Sequence, residues 1–371
     1  MSRAAHVVGW GKYVPSRVLT NDDLAHMVDT SDEWIRSRTG IVERRIVSEG
    51  ETTASMAARA AREALQVAGM KPAELELIIV ATVTPDHAFP ATACLVQNAL
   101  GAIHAAAFDL SAGCSGFIYA LSVAADLIAG GAYKNALVIG AETLSCITDW
   151  SDRATCVLFG DGAGAIILQA NDADGGVIAS VLGADGSGGG LLHLPAGGSR
   201  LPPSHETVDQ RLHYLQMKGR EVFRFAVQIM PEATRQVLKK AGLTLADMNV
   251  LIPHQANQRI IESAARALGV PSELVYSNVA RYGNTSAASI PIALCEAVEE
   301  GRIKRGDLIV CVGFGAGLTW GATAIRWSVP LPPVPPSRWK KVWYQLHYRY
   351  VTIRSLVRRF VRWLFAHGVE E

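Results

Sequence analysis

A single cysteine near the middle of the chain has the surroundings of a nucleophile. Cys114 lies in DLSAGCSGFIYAL, where a short apolar run ends and an almost wholly apolar helix is predicted to begin. A thiolate is the nucleophilic form of cysteine, and the unpaired N–H groups at a helix N-terminus lower the pKa of a thiol placed there. Small neighbouring residues leave space for a substrate and free backbone N–H groups for an oxyanion. On these residues alone, Cys114 is equally compatible with a reactive thiol and with a packed core cysteine.

Two polar residues in the second half lie at comparable turns. His254 ends the apolar run MNVLIPH, and the carboxyl end of a strand is where α/β proteins place their sites. Asn284 lies in the Gly-rich turn RYGNTSAAS, before another helical pattern. Taken alone, His254 is also compatible with a capping residue and Asn284 with an ordinary N-cap. Together with Cys114 they supply a nucleophile, a histidine and an amide, which is a standard set for covalent catalysis.

Strands and helices alternate along the chain and must position these residues. The runs LELIIVATV (75–83) and NALVIGAE (135–142) are continuous apolar strands, separated by helical patterns. Such strands are typical of a sheet that is covered on both faces. The second half repeats the order strand, turn and helix without residue identity, so we predict an α/β fold with two similar halves. Residues 155–170 are predicted to form two strands joined by a Gly-rich turn.

The composition and motifs exclude several classes of protein. With 371 residues, of which 49% are hydrophobic and 19% charged, the chain is neither disordered nor fibrous. The Gly-rich bends FGDGAGA and GFGAGLTWG are not followed by helices, so neither is a dinucleotide-binding motif. We expect no metal site, since His87 in TPDHAFP has no ligand partner at useful spacing.

The cysteines, the N-terminus and the charge distribution favour a cytoplasmic protein. The six cysteines form no C-x-x-C pair and have mostly apolar neighbours, as is typical of thiols in a reducing compartment. The N-terminus lacks the apolar core of a signal peptide, and no run of about 18 apolar residues predicts a spanning helix. The net charge is +1, but residues 337–371 hold eight Lys or Arg and two Glu, hence +6, which leaves −5 elsewhere. Only this tail suggests an anionic partner, and we expect no nucleic-acid binding.

The chain changes character from Pro330 onwards. PLPPVPPS is a polyproline-like spacer, and residues 337–365 after it carry a helical apolar stripe with basic residues on the other faces. Three interpretations are open: a peripheral helix on an anionic membrane, a helix that packs on the body or pairs across a dimer, and a segment disordered in isolation. The stripe, with alternating spacings of four and three, consists of Trp339, Trp343, Leu346, Tyr350, Ile353, Val357, Phe360 and Leu364.

Seven motifs in a fixed order share one resemblance. They are TSDEWIRSRTGI, TPDHAFPATA, DLSAGCSGFIYAL, LFGDGAGA, IPHQANQRII, YGNTSAASIP and GFGAGLTWG. In this combination, residues 1–329 resemble β-ketoacyl-acyl-carrier-protein synthase III of the thiolase superfamily. The resemblance implies a duplicated βαβαβαββ unit in a five-layer αβαβα sandwich, normally a homodimer. Its halves correspond to residues 1–175, with the cysteine, and 176–329, with the histidine and asparagine; residues 330–371 add the linker and basic amphipathic helix.

The same resemblance implies a decarboxylative condensation that starts fatty-acid synthesis. Cys114 would take the acyl group of an acyl-CoA, and malonyl-acyl-carrier protein would then lose CO₂ and attack that group. His254 and Asn284 would donate hydrogen bonds to the oxygen that becomes negative. The backbone N–H groups of Cys114 and Ala316 would bind the acyl-transfer oxyanion; Ala316 stands where a glycine is common in the family. Acyl-CoA and malonyl-acyl-carrier protein are substrates, and no cofactor or metal is implied.

The resemblance also implies positions for substrate binding. Residues expected to bind CoA are Trp34, Arg38, Arg153 and Asn257. Residues expected to line the acyl pocket are Phe89, from the partner subunit, and Leu144. Residues expected to dock the acidic carrier protein are Arg224, Arg259 and Arg266, although Arg224 and Arg266 are equally compatible with ordinary solvated helix positions.

Three alternatives to fatty-acid initiation remain at this point, besides a thiolase. The first is a specialised ketosynthase of secondary metabolism, and the second an enzyme that condenses two acyl chains head to head. A thiolase is disfavoured because the HQAN and GN motifs are of the synthase type. The third, a non-catalytic carrier- or lipid-binding module, is disfavoured because the cysteine, histidine and asparagine are all present.

Overall fold

The structure is a computed structural model that describes residues 4–329 and 338–367. Strands and helices alternate over most of its length. The strands are β1 (Ala4–Tyr13), β2 (Arg17–Thr20), β3 (Glu43–Ile46), β4 (Leu77–Ala81), β5 (Ala106–Leu110), β6 (Asn135–Thr143), β7 (Asp161–Asn171), β8 (Gly176–Ala184), β9 (Leu192–His193), β10 (Gln216–Met217), β11 (Val250–Pro253), β12 (Leu308–Gly315) and β13 (Thr319–Arg326). The α-helices are α1 (Asn21–Ala25), α2 (Asp32–Thr39), α3 (Thr53–Ala68), α4 (Thr92–Leu100), α5 (Gly116–Ala129), α6 (Arg153–Cys156), α7 (His205–Asp209), α8 (Gly219–Lys240), α9 (Gln258–Leu268), α10 (Val279–Tyr282), α11 (Ser289–Glu299) and α12 (Arg338–His367).

Two larger sheets divide the chain between Asn171 and Gly176. The first has the order β1-β7-β6-β4-β5, with β4 parallel to β5 and β6 and with β7 antiparallel to both of its neighbours. The second has the order β11-β12-β13-β8, in which β11 and β12 are parallel. Cys114 follows the parallel strand β5 and His254 follows the parallel strand β11, so both lie at the carboxyl ends of parallel strands.

Helices pack between the two sheets and on their outer faces. Helices α5 and α11 lie between the sheets, where Phe117, Leu121 and Leu294 share one core with residues of both sheets. Helices α3 and α4 cover the outer face of the first sheet, and α8 and α9 cover that of the second. The layers are therefore helix, sheet, helix, sheet and helix, which confirms the predicted αβαβα sandwich.

The two central helices are buried because their sequences are largely apolar. Residues 289–298 of α11 are all buried, and α5 buries nine of its 14 residues. A helix that is apolar all round needs apolar partners on every face, and the two flanking sheets provide them. Burial on both faces also explains the unbroken apolar run of β4, whose five residues are all buried.

The prediction of two strands joined by a turn over residues 155–170 is wrong. Helix α6 occupies the start of this segment, and one continuous strand, β7, runs through the Gly-rich sequence. A Cβ atom at Gly164 would lie 2.7 Å from the backbone of Pro291 and Ile292 in α11. Glycine is therefore needed there for close contact between a strand and a helix, not for a turn.

Helix α12 packs on the body through residues that do not belong to the predicted apolar stripe. Tyr344 is 3% exposed, and its hydroxyl donates to the carbonyl oxygens of Leu65 and Met70, near the end of α3, at 3.4 and 3.1 Å. Val351 is also buried and packs on Gly101 after α4, where a Cβ atom would lie 2.6 Å from its Cγ2. This arrangement matches the interpretation that the tail packs on the body.

The predicted stripe itself faces away from the body. Adjacent positions such as Trp343 and Tyr344 are both apolar, so the helix carries two apolar faces and the spacing could not tell which one is buried. The described side chains of the stripe are 41–60% exposed: Trp343, Leu346, Tyr350, Ile353, Val357 and Phe360. The spacer 330–337 and the side chains of Trp339 and Leu364 lie outside the described residues. Across residues 4–329 and 338–367, no helix is long and apolar enough to cross a bilayer.

Candidate active site

Cys114 is held in a tight turn between β5 and α5. It lies in the short 3-10 helix Gly113–Ser115 and is 8% exposed. Gly113 has a φ of 55°, which glycine adopts without strain. A Cβ atom at Gly315 would lie 2.4 Å from the backbone nitrogen of Cys114, so the bend after β12 rests directly on the cysteine turn. This contact brings the backbone of Ala316 to a cavity that Cys114 also lines.

Burial raises the pKa of the Cys114 thiol to about 12, against the lowering that a helix N-terminus predicts. Loss of hydration is the largest cause, a hydrogen bond with Ser286 opposes it, and the Glu142 carboxyl adds to it. In a buried site the cost of removing a charge from water exceeds the stabilisation by the helix end. The resting residue is therefore a thiol, and its proton must leave when the thiol attacks a substrate.

His254 is a neutral hydrogen-bond donor in this site. It is 1% exposed, and burial lowers its pKa to about 3. The Ser289 hydroxyl accepts from the Gln255 N–H at 3.3 Å and lies 2.6 Å from His254 Nδ1. We assign the tautomer in which this hydroxyl donates its hydrogen to Nδ1. Nδ1 is then an acceptor and Nε2 carries the proton. Among the described residues Nε2 has no hydrogen-bond partner, and the ring lines the same cavity as Cys114.

Asn284 presents its amide nitrogen at the same cavity. Its backbone is fixed between Leu158 and Gly160, through N–H···O bonds of 2.8 and 3.0 Å. The side-chain Oδ1 accepts from the Ser286 N–H at 2.8 Å, which assigns the other end of the amide as Nδ2. Cys114, His254 and Asn284, chosen from the sequence, therefore meet around one cavity. Nδ2 and the His254 Nε2–H are two neutral donors beside the thiol.

A second, mostly apolar cavity continues from Cys114 into the protein. Leu144, predicted for the acyl pocket, lines this cavity and is 2% exposed. Phe89, also predicted there, is 85% exposed and lies outside the cavity of its own chain. The apolar lining consists of Val83, Leu144, Ile147, Phe159, Leu192, Leu194 and Leu215.

The residues predicted to bind CoA lie in two neighbouring groups. The Arg153 guanidinium stacks on the Trp34 ring at 4.6 Å and donates to the Asp29 carbonyl at 2.7 Å, so an adenine between them requires Arg153 to move. Asn257 caps α9 through its Oδ1 and donates from Nδ2 to the carbonyl of Arg38 at 3.1 Å. Asn257 also lines the cavity of Cys114, so the same side chain caps α9 and forms part of the cavity wall.

The three arginines predicted to dock a carrier protein are exposed on α8 and α9. The Arg259 guanidinium lies 5.7 Å from the ring of Phe223, which lines the cavity of Cys114. Arg224 is adjacent to Phe223 on α8, whereas Arg266 pairs with Glu262 on its own helix at 3.8 Å. Arg259 and Arg224 therefore lie beside a residue that lines the cavity of Cys114. The charge of Arg266 is partly balanced by the Glu262 carboxylate.

Sequence reasoning missed three polar residues that support the site. Ser286 and Ser289 contact Asn284 and His254, and both lie in the Gly-rich turn motif that was identified only for its asparagine. Glu142 is fully buried at the end of β6 and binds Ser286. Its signal was a lone acid at the end of an apolar strand. In the part of the chain that the structure describes, no cluster of three His, Cys, Asp or Glu residues is arranged to hold a metal.

A duplicated αβαβα sandwich with a cysteine, a histidine and an asparagine around one cavity defines a thiolase-like condensing enzyme. The model of the 3-oxoacyl-[acyl-carrier-protein] synthase III family matches residues 108–186, and that of its C-terminal part matches residues 238–327. The chain belongs to the β-ketoacyl-acyl-carrier-protein synthase III family, whose members are condensing acyltransferases.

Named relatives and a solved structure cover the body of the chain. The β-ketoacyl-acyl-carrier-protein synthase III of Symbiobacterium thermophilum is 60% identical over 88% of this chain and 99% of its own. That of Caldanaerobacter subterraneus is 57% identical over 88% of this chain and 98% of its own. The crystal structure of the Aquifex aeolicus synthase III superposes with a TM-score of 0.82 at 52% identity, over 87% of this chain and all of its own.

Proposed function

We propose that this chain condenses an acyl group from acyl-CoA with malonyl-acyl-carrier protein, giving 3-oxoacyl-acyl-carrier protein, CoA and CO₂, and so initiates fatty-acid synthesis. The observation that carries the proposal is the convergence of the Cys114 thiol with two neutral donors, His254 Nε2 and Asn284 Nδ2, on one cavity. Relatives named for this activity at 57–60% identity support it.

The first half-reaction moves the acyl group to the enzyme. The Cys114 sulfur attacks the thioester carbonyl of acyl-CoA, its S–H bond breaks, and a tetrahedral oxyanion forms. The backbone N–H groups of Cys114 and Ala316, two residues that line the same cavity, are proposed to stabilise that oxyanion. The oxyanion then collapses, the bond to the CoA sulfur breaks, and CoA leaves as a thiol with the proton lost from Cys114. The chain end enters the apolar cavity of Leu144.

The second half-reaction forms the carbon–carbon bond. The malonyl group loses CO₂, and the electrons of the broken bond move onto the thioester oxygen of an enolate. His254 and Asn284 donate to that oxygen, and the neutral state of His254 means that each supplies a hydrogen bond without giving up a proton. The enolate carbon attacks the acyl group on Cys114, the C–S bond breaks, and the sulfur takes up a proton. Neither half-reaction requires a cofactor beyond the two substrates.

Substrate recognition falls to residues around the mouth of the cavity. Trp34, Arg38 and Arg153 are proposed to hold the CoA nucleotide, with Asn257 on the pantetheine arm. The exposed Arg224 and Arg259, extended by Arg266, form a basic surface that complements an acidic carrier protein. Opposite charges speed the encounter of two proteins and orient them.

A panel of acyl-CoA starters tests the reaction and its metabolic role. We expect malonyl-acyl-carrier protein plus a short or branched acyl-CoA to yield the 3-oxoacyl product two carbons longer, identified by mass spectrometry. Product formation only with acyl-CoA starters other than short or branched ones would instead favour a specialised ketosynthase. If a second long acyl chain served as acceptor, the enzyme would be a head-to-head condensing enzyme. No condensation with any starter contradicts the proposal.

We propose that two chains pair along strand β5. This strand is the open edge of the first sheet, and Phe108 on it is 39% exposed. An unpaired edge favours pairing with another strand. Phe89, which is 85% exposed, is proposed to enter the acyl cavity of the partner. Sedimentation should give twice the chain mass of 39.7 kDa, and a monomer would contradict the proposal.

We propose that the outward stripe of α12 holds the cytoplasmic enzyme on an anionic membrane surface. The six cysteines are all free, which supports a reducing compartment. The stripe exposes Leu346, Ile353 and Phe360 by 59–60%, next to the exposed cations Arg349 and Arg358. A helix with one exposed apolar face and flanking cations lies at the membrane interface with that face buried.

Vesicle co-sedimentation tests this surface. We expect the full chain to bind phosphatidylglycerol vesicles, and a chain ending at residue 329 to remain in solution. Ile353→Glu with Val357→Glu should weaken binding about a hundredfold or more, because two buried apolar side chains contribute about 1.5–3 kcal/mol each. Val208→Glu, at a position 61% exposed on α7, is the matched control and should bind like the unmodified chain. Equal binding by the full and shortened chains contradicts the proposal.

A further inference from the structure

A buried carboxyl group lies behind the active-site turn. It raises the pKa of the Cys114 thiol, but none of the proposed reaction steps uses it. Glu142, at the end of β6, is 0% exposed, and Thr82, Val83, Thr84 and Ser286 all donate hydrogen bonds to it. The Thr82, Thr84 and Ser286 hydroxyls are 3.2, 2.6 and 3.0 Å from its oxygens, and the Val83 N–H is 3.1 Å away. Because a carboxylate only accepts, these four donors fit its ionised form.

Ser286 connects this carboxyl group to the catalytic asparagine. Its hydroxyl donates to Glu142, and its backbone N–H donates to Asn284 Oδ1 at 2.8 Å. Ser286 has a φ of 49°, and only one other non-glycine residue in the described ranges has a positive φ. A non-glycine residue is kept in this left-handed conformation when its surroundings hold it there. Its hydroxyl binds Glu142 and its backbone N–H binds Asn284 Oδ1, so both groups of Ser286 are held by hydrogen bonds.

The position of the Ser286 N–H decides which end of the Asn284 amide faces the substrate. While Oδ1 accepts from that N–H, Nδ2 is left for the cavity. If the turn relaxed, the amide could rotate and present Oδ1, an acceptor, to an oxygen that is becoming negative. The bond between Glu142 and Ser286 also joins two layers of the fold. Glu142 ends β6 in the first sheet, whereas the 283–288 turn leads into α11, between the two sheets.

We propose that Glu142 and Ser286 are positioning residues for the decarboxylation step: Glu142 fixes the strained turn at Ser286, and Ser286 orients the Asn284 amide toward the enolate oxygen. This inference rests on the proposed role of Asn284 as a donor. A buried carboxyl is costly, and burial raises the pKa of Glu142 to about 7, so a merely structural position would be better filled by an apolar side chain.

The test separates the two half-reactions in Glu142→Gln and Ser286→Gly. We expect malonyl-acyl-carrier protein decarboxylation to lose about tenfold or more in kcat, as small displacements of a catalytic group do, with little change in KM. Acylation of Cys114 should fall less than decarboxylation, because the 113–116 turn holds the thiol and the hydrogen bond from Ser286 is its only contact that the Ser286→Gly change removes. Ser286→Gly keeps the backbone N–H and tolerates a positive φ, so it tests the hydroxyl even if Glu142→Gln folds poorly. Because that hydroxyl also hydrogen-bonds to Cys114, Glu142→Gln is the variant that leaves the contact to the thiol in place. Equal losses in both half-reactions, or none, overturn the proposal.

Glu296→Gln is the matched control. Glu296 is a second buried carboxyl, 4% exposed, and it binds Asn278 and Tyr282 without touching Asn284. Any effect of this change should be the same on acylation and on decarboxylation. A selective loss of decarboxylation in Glu296→Gln would mean that general loosening of the second half, and not the Ser286 connection, causes the effect.

A double variant distinguishes failure of this inference from failure of the proposed function. If Ser286 acts through Asn284, Ser286→Gly with Asn284→Ala decarboxylates no more slowly than Asn284→Ala alone, since residues of one network are not additive. If the double variant decarboxylates more slowly than Asn284→Ala by the full factor lost in Ser286→Gly, the inference is overturned and the donor role of Asn284 is unaffected. Normal decarboxylation by Asn284→Ala alone would instead remove the proposed function on which the inference rests.

Discussion

Cys114→Ser is expected to abolish transfer of an acyl group from acyl-CoA to the protein, by roughly 10⁴-fold or more. A serine hydroxyl is a much weaker acid than a thiol, and His254, which lines the same cavity, uses its basic Nδ1 to accept from Ser289. The side chain is 8% exposed in a turn of small residues, so the substitution changes one atom and little of the packing. Intact-protein mass spectrometry after incubation with acyl-CoA measures the effect directly.

Cys311→Ser controls for the loss of a buried thiol. Cys311 is 0% exposed in β12 and does not line the cavity of Cys114, and its thiol pKa is likewise raised to about 12 by burial. This variant should take up one acyl group at Cys114 like the unmodified protein. An adduct on Cys114→Ser, or acylation that depends on Cys311, would contradict the assignment of the nucleophile and would favour a thiolase-like pair of cysteines.

Asn284→Ala is expected to retain acylation and to lose decarboxylation. Removing one donor from a preorganised oxyanion site costs about 10²–10³ in rate, or about 2.7–4 kcal/mol of transition-state stabilisation. His254→Ala should act in the same direction, because its Nε2–H is the second donor at the cavity. Acylation should persist in both variants, since we propose that the backbone N–H groups of Cys114 and Ala316, and not these two side chains, bind the first oxyanion. The two rates are measured as acyl-enzyme formation and as CO₂ released from malonyl-acyl-carrier protein.

Asn278→Ala provides the comparison for the asparagine. Asn278 is 4% exposed on the same segment, but its amide donates to Glu296 at 2.9 Å and does not reach the cavity. Its removal should leave the ratio of the two half-reactions unchanged. Normal condensation by Asn284→Ala would show that the amide is not the donor that decarboxylation needs.

The sequence was informative about this site because its chemistry lies at strand ends. Cys114, His254 and Asn284 each occupy a turn of small or special residues between recognisable elements, so residue type and local pattern were enough to select them. Their convergence was not visible from spacing, since Cys114 and His254 follow strands of different sheets. The resemblance to a known family supplied that connection.

Other features depend on contacts that a linear pattern does not contain. The Gly-rich run in β7 looked like a turn because the helix that approaches Gly164 is more than 100 residues away in the chain. The pKa of Cys114 is set by burial, which the helix-start argument did not include. In α12, adjacent apolar residues create two faces, and only the packing of Tyr344 and Val351 identifies the buried one.

The most direct test of the condensation mechanism follows the mass of the protein through one cycle. Incubation with acyl-CoA alone should add one acyl group at Cys114 and release one CoA. Later addition of malonyl-acyl-carrier protein should restore the original mass while 3-oxoacyl-acyl-carrier protein and CO₂ appear in equal amounts. An acyl group bound at another residue, or condensed product formed by Cys114→Ser, would contradict it.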